Sequence, residues 1–136
     1  MKTHKDLDIW KRGIEFVEEI YKVTDNFPKE EIYGLISQIR RAGISYPSNI
    51  AEGAARYSKK EFIRFLYISL ASLSEIETQL IIAEKLGYLK EGGLLKEVEV
   101  LRRMTLNFIK YLKSKVNEQM GKRVDESHQP IHPSTH

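Results

Sequence analysis

The sequence predicts an all-α protein: an up-and-down four-helix bundle over residues 1–120, followed by a disordered polar tail over 121–136. Three observations carry that prediction. Apolar residues recur at three- and four-residue spacing through four long segments, as in helices with one buried stripe. The links between segments hold residues that stop one helix and cap the next. Those links are also short, which makes consecutive helices antiparallel neighbours.

The first segment spans Asp6 to Thr24, with a stripe of Trp10, Gly13, Ile14, Val17, Ile20, Tyr21 and Thr24 and charged residues outside it. Asp6 or Asp8 is placed to cap it. Asp25-Asn26-Phe27-Pro28 then ends it, and Pro28 opens the second helix, expected from Lys29 to Tyr57.

Helix two is organised around Gln38–Arg56. Ile32, Ile36, Ile39, Gly43, Tyr46, Ile50 and Gly53 trace an apolar or small stripe, while Arg41, Ser45, Ser48 or Asn49, Glu52 and Arg56 stack on another face. Three residues oppose the helix. Pro47 costs roughly 3 kcal/mol, and Gly43 and Gly53 about 1 kcal/mol each relative to alanine. A bend near Pro47 is therefore expected, with Ser45, Ser48 and Asn49 bonding freed backbone groups. Asn49 with Glu52 approximates a capping box for a restarted helix.

Ser58 and Glu61 mark the third start, again as a capping box. Phe62, Leu66, Ser69, Leu73, Ile76, Leu80 and Ala83 give Lys59–Leu86 a bundle seam. Gly87 is the C-cap candidate and Glu91-Gly92-Gly93 a turn. Leu94 to Met120 is the fourth helix, with Leu94, Val98, Leu101, Thr105, Phe108 and Leu112 inward and Leu95, Ile109 and Val116 broadening the face. The tail from Gly121 contains Pro130 and Pro133 and has no periodicity.

The run SQIRRAGISYPSNIAEGAAR, followed by SKKEFIRFLYISLASLSEIETQL, resembles the bacterial four-helix-bundle family of 23S rRNA intervening-sequence proteins, also called S23 ribosomal proteins. The likeness extends over about Asp6 to Leu89, and PSNIAEG is its most specific string. It implies association with ribosomal RNA intervening sequences and kinship with accessory proteins of diversity-generating retroelements. Those relatives form ring-shaped pentamers that bind nucleic acid and assist a reverse transcriptase.

Composition narrows the function. The N-terminus MKTHKDLDIW lacks a signal peptide's apolar core. No apolar run approaches the roughly 20 residues that span a bilayer, so a cytoplasmic protein with no membrane partner is expected. With no cysteine, disulfides, thiolate metal sites and cysteine nucleophiles are excluded. No histidine falls between Lys5 and Ser127. That leaves Glu19, Glu52 and Glu75 without the Glu-x-x-His partners of a dinuclear site, and argues against a HEPN-type ribonuclease. Ser69, Ser72 and Ser74 lack an accompanying base and read as small packing residues. His128, His132 and His136 share a spacing of four, but the prolines break any helix that would align them. No enzyme activity, metal or cofactor is expected.

Charge distribution says more than the net +3. Gln38–Arg64 holds six basic residues against two acidic ones, and Arg102–Arg123 seven against one. Arg40, Arg41, Arg56, Lys59, Lys60 and Arg64 bracket the PSNIAEG motif as candidate phosphate ligands, with the free N–H groups of helix three beside them. Glu52 competes for Arg56 as an i,i+4 partner, and Tyr57 offers either a stacking ring or a packed aromatic. Ser45, Pro47, Ser48, Asn49, Glu52 and Gly53 form the structural motif. Lys110, Lys113, Lys115, Lys122 and Arg123 make a second track. The expectation is a non-enzymatic oligomer that binds nucleic acid, RNA before DNA, with a pentamer implied by the resemblance. The alternative is a protein scaffold, such as an accessory subunit for a reverse transcriptase.

Overall fold

The computed structural model describes residues 3–90 and 92–127, with side chains described as far as residue 121. Four helices pack against each other: α1 (Asp8–Thr24), α2 (Leu35–Ala54), α3 (Lys59–Lys85) and α4 (Gly93–Ser127). Contacts between consecutive helices run in opposite chain directions. Gly13 faces Tyr46 and Ile20 faces Gly43, Ser45 meets Ser72 and Tyr46 meets Ser69, and Glu77 meets Arg102. Consecutive helices are therefore antiparallel, and the α2–α3 seam is the most extensive.

The core is continuous along the axis. Ile20, Ile39, Tyr46, Ile50, Leu66, Leu73, Ile76, Leu80, Val98 and Leu101 are all fully buried, and each such side chain contributes roughly 1.5–3 kcal/mol. The expected seam of α3 is buried throughout. By length and composition α3 is also apolar enough to cross a bilayer, contrary to the expectation from sequence. Its inner face nevertheless forms the bundle's centre, against α2 and α4.

Boundaries shift at three places. A 3₁₀ turn, His4–Asp6, precedes α1 and is capped by Thr3, whose hydroxyl accepts from Lys5 N while the Asp6 carboxylate accepts from Thr3 N. Neither Asp6 nor Asp8 caps α1 itself, whose N-cap is Leu7. After Pro28 only a 3₁₀ turn forms, Lys29–Glu31, and α2 begins at Leu35 once the chain has turned at Gly34. There the Glu31 carboxylate accepts from Leu35 N at 3.2 Å, and Tyr88 donates its hydroxyl to the same carboxylate at 3.1 Å. Finally, α4 runs on to Ser127, past the expected end at Met120. The histidines at 128, 132 and 136 lie outside the described residues.

The stripe of α1 is rotated from the predicted one. Ile9, Gly13, Phe16, Ile20 and Thr24 face inward, whereas Ile14 and Tyr21 are exposed. Apolar residues occupy both sides of this helix, so spacing alone did not fix which side is buried.

Helix α2 passes Pro47 as one continuous helix, and the expected bend is not shown. Side chains bond the carbonyls around it: Asn49 Nδ2 donates to Ser45 O at 2.9 Å and Ser69 Oγ donates to Tyr46 O at 2.9 Å. Gly53 permits a close approach of α2 to α3. A Cβ there would stand 2.8 Å from both Phe62 Cδ1 and Phe65 Cβ. Gly87 takes the positive φ of 81° after α3, with Tyr88 N donating to Ala83 O and Gly87 N to Glu84 O, a complete Schellman cap.

Candidate nucleic-acid interface

The tight approach at Gly53 brings the end of α2 directly against the first turn of α3. Ser58 caps α3 as expected, its Oγ accepting from Glu61 N at 3.1 Å. Glu61 does not complete a capping box, because its carboxylate takes Arg64 through Nε at 2.9 Å and Nη2 at 3.4 Å. That hydrogen bond, with the charges of Arg64 and Arg56, holds the Glu61 carboxyl below its usual range.

Phe65 anchors the cations of this junction. Arg56 lies over its ring at 4.9 Å and Arg64 at 4.6 Å. Arg56 therefore stacks on Phe65 instead of pairing with Glu52. Lys60 is exposed and Lys59 half-buried on the same turn. Tyr57 projects fully into solvent, so its reading as a packed aromatic does not hold.

Beside Tyr57 opens a cleft of about 330 Å³, lined by Leu7, Ala54, Arg56, Tyr57, Ser58, Lys59, Phe62, Phe108, Tyr111 and Leu112. Its floor is aromatic. Phe62 meets Phe108 edge-on at 5.5 Å, and Phe108 stacks on Tyr111 at 6.1 Å with 14° between the planes. Lys115 reaches over Tyr111 at 5.4 Å. Sequence reasoning missed Phe108 and Tyr111 as site residues; the only signal was an aromatic pair three apart amid the lysines of α4.

Arg40 and Arg41 stand apart from this cluster, since Ala54 lies thirteen positions after Arg41 on α2, or about 20 Å along the axis. Arg40 is engaged elsewhere. Its Nε donates to Thr24 Oγ1 at 2.9 Å, its Nη2 donates to Asp25 Oδ1 at 2.9 Å and to Tyr21 O at 3.3 Å, and it covers the Tyr21 ring. Arg41 is exposed and lines a shallow groove with Ile32, Ser37 and Ile44. The sequence motif divides similarly. Asn49 donates to Ser45, whose hydroxyl bonds that of Ser72 in the α2–α3 seam, whereas Ser48 and Glu52 are exposed.

In the second track, Lys113 donates to Tyr67 Oη at 2.8 Å and Lys115 pairs with Glu118 at 3.4 Å, while Lys110 is exposed. Lys122 and Arg123 belong to α4 by their backbone. Glu19, Glu52 and Glu75 all lie on the outside of the bundle, where they cannot converge on one ion.

The opposite end of the bundle has the opposite sign. A cleft of about 430 Å³ between α1 and α4 is lined by Glu15, Glu19, Glu84 and Glu97 against Arg12 and Lys90. Arg12 is neutralised there by Glu97 at 2.6 Å. That lining is mainly acidic, in contrast to the basic α2–α3 junction.

Comparison with known proteins agrees with this architecture. A crystal structure of a protein of unknown function from the S23 ribosomal protein family of Bacteroides thetaiotaomicron superposes with a TM-score of 0.69 at 22% identity, covering 75% of this chain and 95% of that one. No curated protein matches the chain. The sequence profile of the 23S rRNA-intervening sequence proteins matches residues 5–112, nearly the whole of the four-helix body described above. With that match taking in every element that builds the junction, the chain belongs to the 23S rRNA-intervening sequence protein family.

Proposed function

We propose that this protein is a non-catalytic, cytoplasmic, oligomeric nucleic-acid-binding protein that holds structured RNA by its phosphate backbone. The observation that carries this reading is the gathering of Arg56, Lys59, Lys60 and Arg64 on one tight junction, with the carboxylate-lined cleft at the far end. The free N–H groups in the first turn of α3 add anion affinity. The family's description as 23S rRNA-intervening sequence proteins favours RNA as the ligand.

Oligomerisation is supported by the outer α1–α2 face. Ile14, Tyr21, Ile32 and Ile44 are exposed there, and two shallow grooves run between the helices. A ring of copies, a pentamer as in the related retroelement proteins, multiplies a modest +3 per chain into a continuous positive surface. The same apolar face favours one rival, a scaffold whose partner is a protein such as a reverse transcriptase.

Binding to labelled structured RNA across a salt series, with oligomer mass measured in the same buffers, separates the two. Under our reading the logarithm of the affinity falls steeply and linearly with the logarithm of salt. Arg56→Glu with Lys60→Glu abolishes binding while the oligomer persists. A well-formed oligomer with no salt-sensitive RNA affinity refutes the proposal and leaves the scaffold.

A further inference from the structure

We infer that the aromatic cleft at the α2–α3 junction receives an unpaired nucleobase, so that the RNA is gripped at a loop, bulge or single-stranded end instead of along a continuous duplex. This rests on the RNA-binding reading above and names the part of the RNA it uses.

Phosphate contacts alone explain the cations but not the cleft. A duplex backbone is met by an open basic surface, and its bases are already stacked and out of reach. Here the basic residues surround an opening of about 330 Å³ whose inner surface is apolar and aromatic, formed by Leu7, Phe62, Phe108, Tyr111 and Leu112. Tyr57 stands at the mouth, fully exposed on the short link between helices. Tyr111 is also more than half exposed and has its partner Phe108 behind it. An aromatic face backed by a second ring and flanked by cations is the arrangement on which unstacked bases bind.

The charges suit a nucleotide more than an apolar peptide. Arg56 and Lys59 line the cleft itself and Lys115 lies over Tyr111, which favours an occupant that carries negative charge next to a flat ring. The N-terminal turn of α3 sits at the same mouth, and Ser58 caps only the Glu61 N–H. Its remaining free donors are placed for the phosphate attached to a base in the cleft.

The test compares a labelled RNA hairpin bearing an unpaired loop of about 8 nucleotides, within the single-strand site sizes known for other folds, with a blunt, fully paired RNA of equal length. Wild-type protein, Tyr57→Ala, Tyr111→Ala and Lys60→Gln are titrated with each at several salt concentrations, after circular dichroism establishes that each variant is folded. The expected result is tighter binding of the looped RNA and a loss of about tenfold on Tyr57→Ala for that RNA only, with the salt slope kept. Lys60→Gln weakens both RNAs and lowers the slope by about one. Equal binding of the two RNAs, or an unchanged affinity in both tyrosine variants, overturns the base-binding inference and leaves phosphate binding intact. If neither RNA binds, the RNA reading falls and this inference falls with it.

Discussion

The hydroxyl of Ser69 on α3 donates to the backbone carbonyl of Tyr46 on α2 at 2.9 Å, one residue before the proline that α2 carries inside its span. The carbonyl that proline deprives of its donor is that of Gly43, four residues back, so this bond instead ties α3 to α2 beside the proline. Ser69→Ala removes that bond without altering the fold. It lowers stability by about 1 kcal/mol, read as a reduced midpoint in urea at unchanged slope; an unshifted midpoint excludes the role.

Gly53 and Gly43 make different demands on their neighbours. At Gly43 a methyl meets the terminal Cδ1 of Ile20, the far end of a flexible side chain, whereas at Gly53 it meets Phe65 Cβ and approaches the Phe62 carbonyl at 3.2 Å. Gly53→Ala therefore destabilises by about 2–3 kcal/mol, and Gly43→Ala by less. Thermal melts of the two variants rank them; equal melting points contradict the argument.

Tyr46 is buried with its hydroxyl 2.7 Å from Thr105 Oγ1. Burial pushes its phenol up to about 12. Because the folded pKa lies above the unfolded one, this group's contribution is complete below about pH 10 and is lost as pH rises toward 12. Unfolding free energy measured across alkaline pH should decline in that window, and Tyr46→Phe should flatten the decline.

Adjacent arginines on α2 should separate cleanly. Arg40→Ala loses the bonds to Thr24, Tyr21 and Asp25 and costs about 1–2 kcal/mol of stability. Arg41→Ala changes stability by less than about 0.5 kcal/mol. Denaturant titrations check this, and equal losses would mean the α1 contacts contribute nothing.

The bundle was legible because burial repeats along every helix. Leu66, Leu73, Ile76 and Leu80 were placed in the core by spacing alone and are fully buried. Polar chemistry depends on rotations of a single residue, about 100° on a helix. Arg40 and Arg41 look alike in sequence, yet that rotation sends one to α1 and the other to solvent. The phase of Ile36, Arg40, Gly43 and Pro47 along the α1 side held the missing signal. The late start of α2 had a similar cause: Pro28 with Glu30 and Glu31 reads as a helix opening, and Gly34 overrides it. The cleft was invisible from sequence, since Phe108 and Tyr111 meet the α2–α3 junction only through tertiary packing.

The two clefts of opposite sign both lie along α4, one near Leu94 and the other near Leu112, about 27 Å apart on that helix. The molecule is therefore an electric dipole as well as a weak cation. In the field of any polyanion it experiences a torque before contact, swinging the junction forward and the carboxylates away. Productive orientation is selected during diffusion, so the encounter rate is more sensitive to reversing the sign of either end than a net charge of +3 suggests.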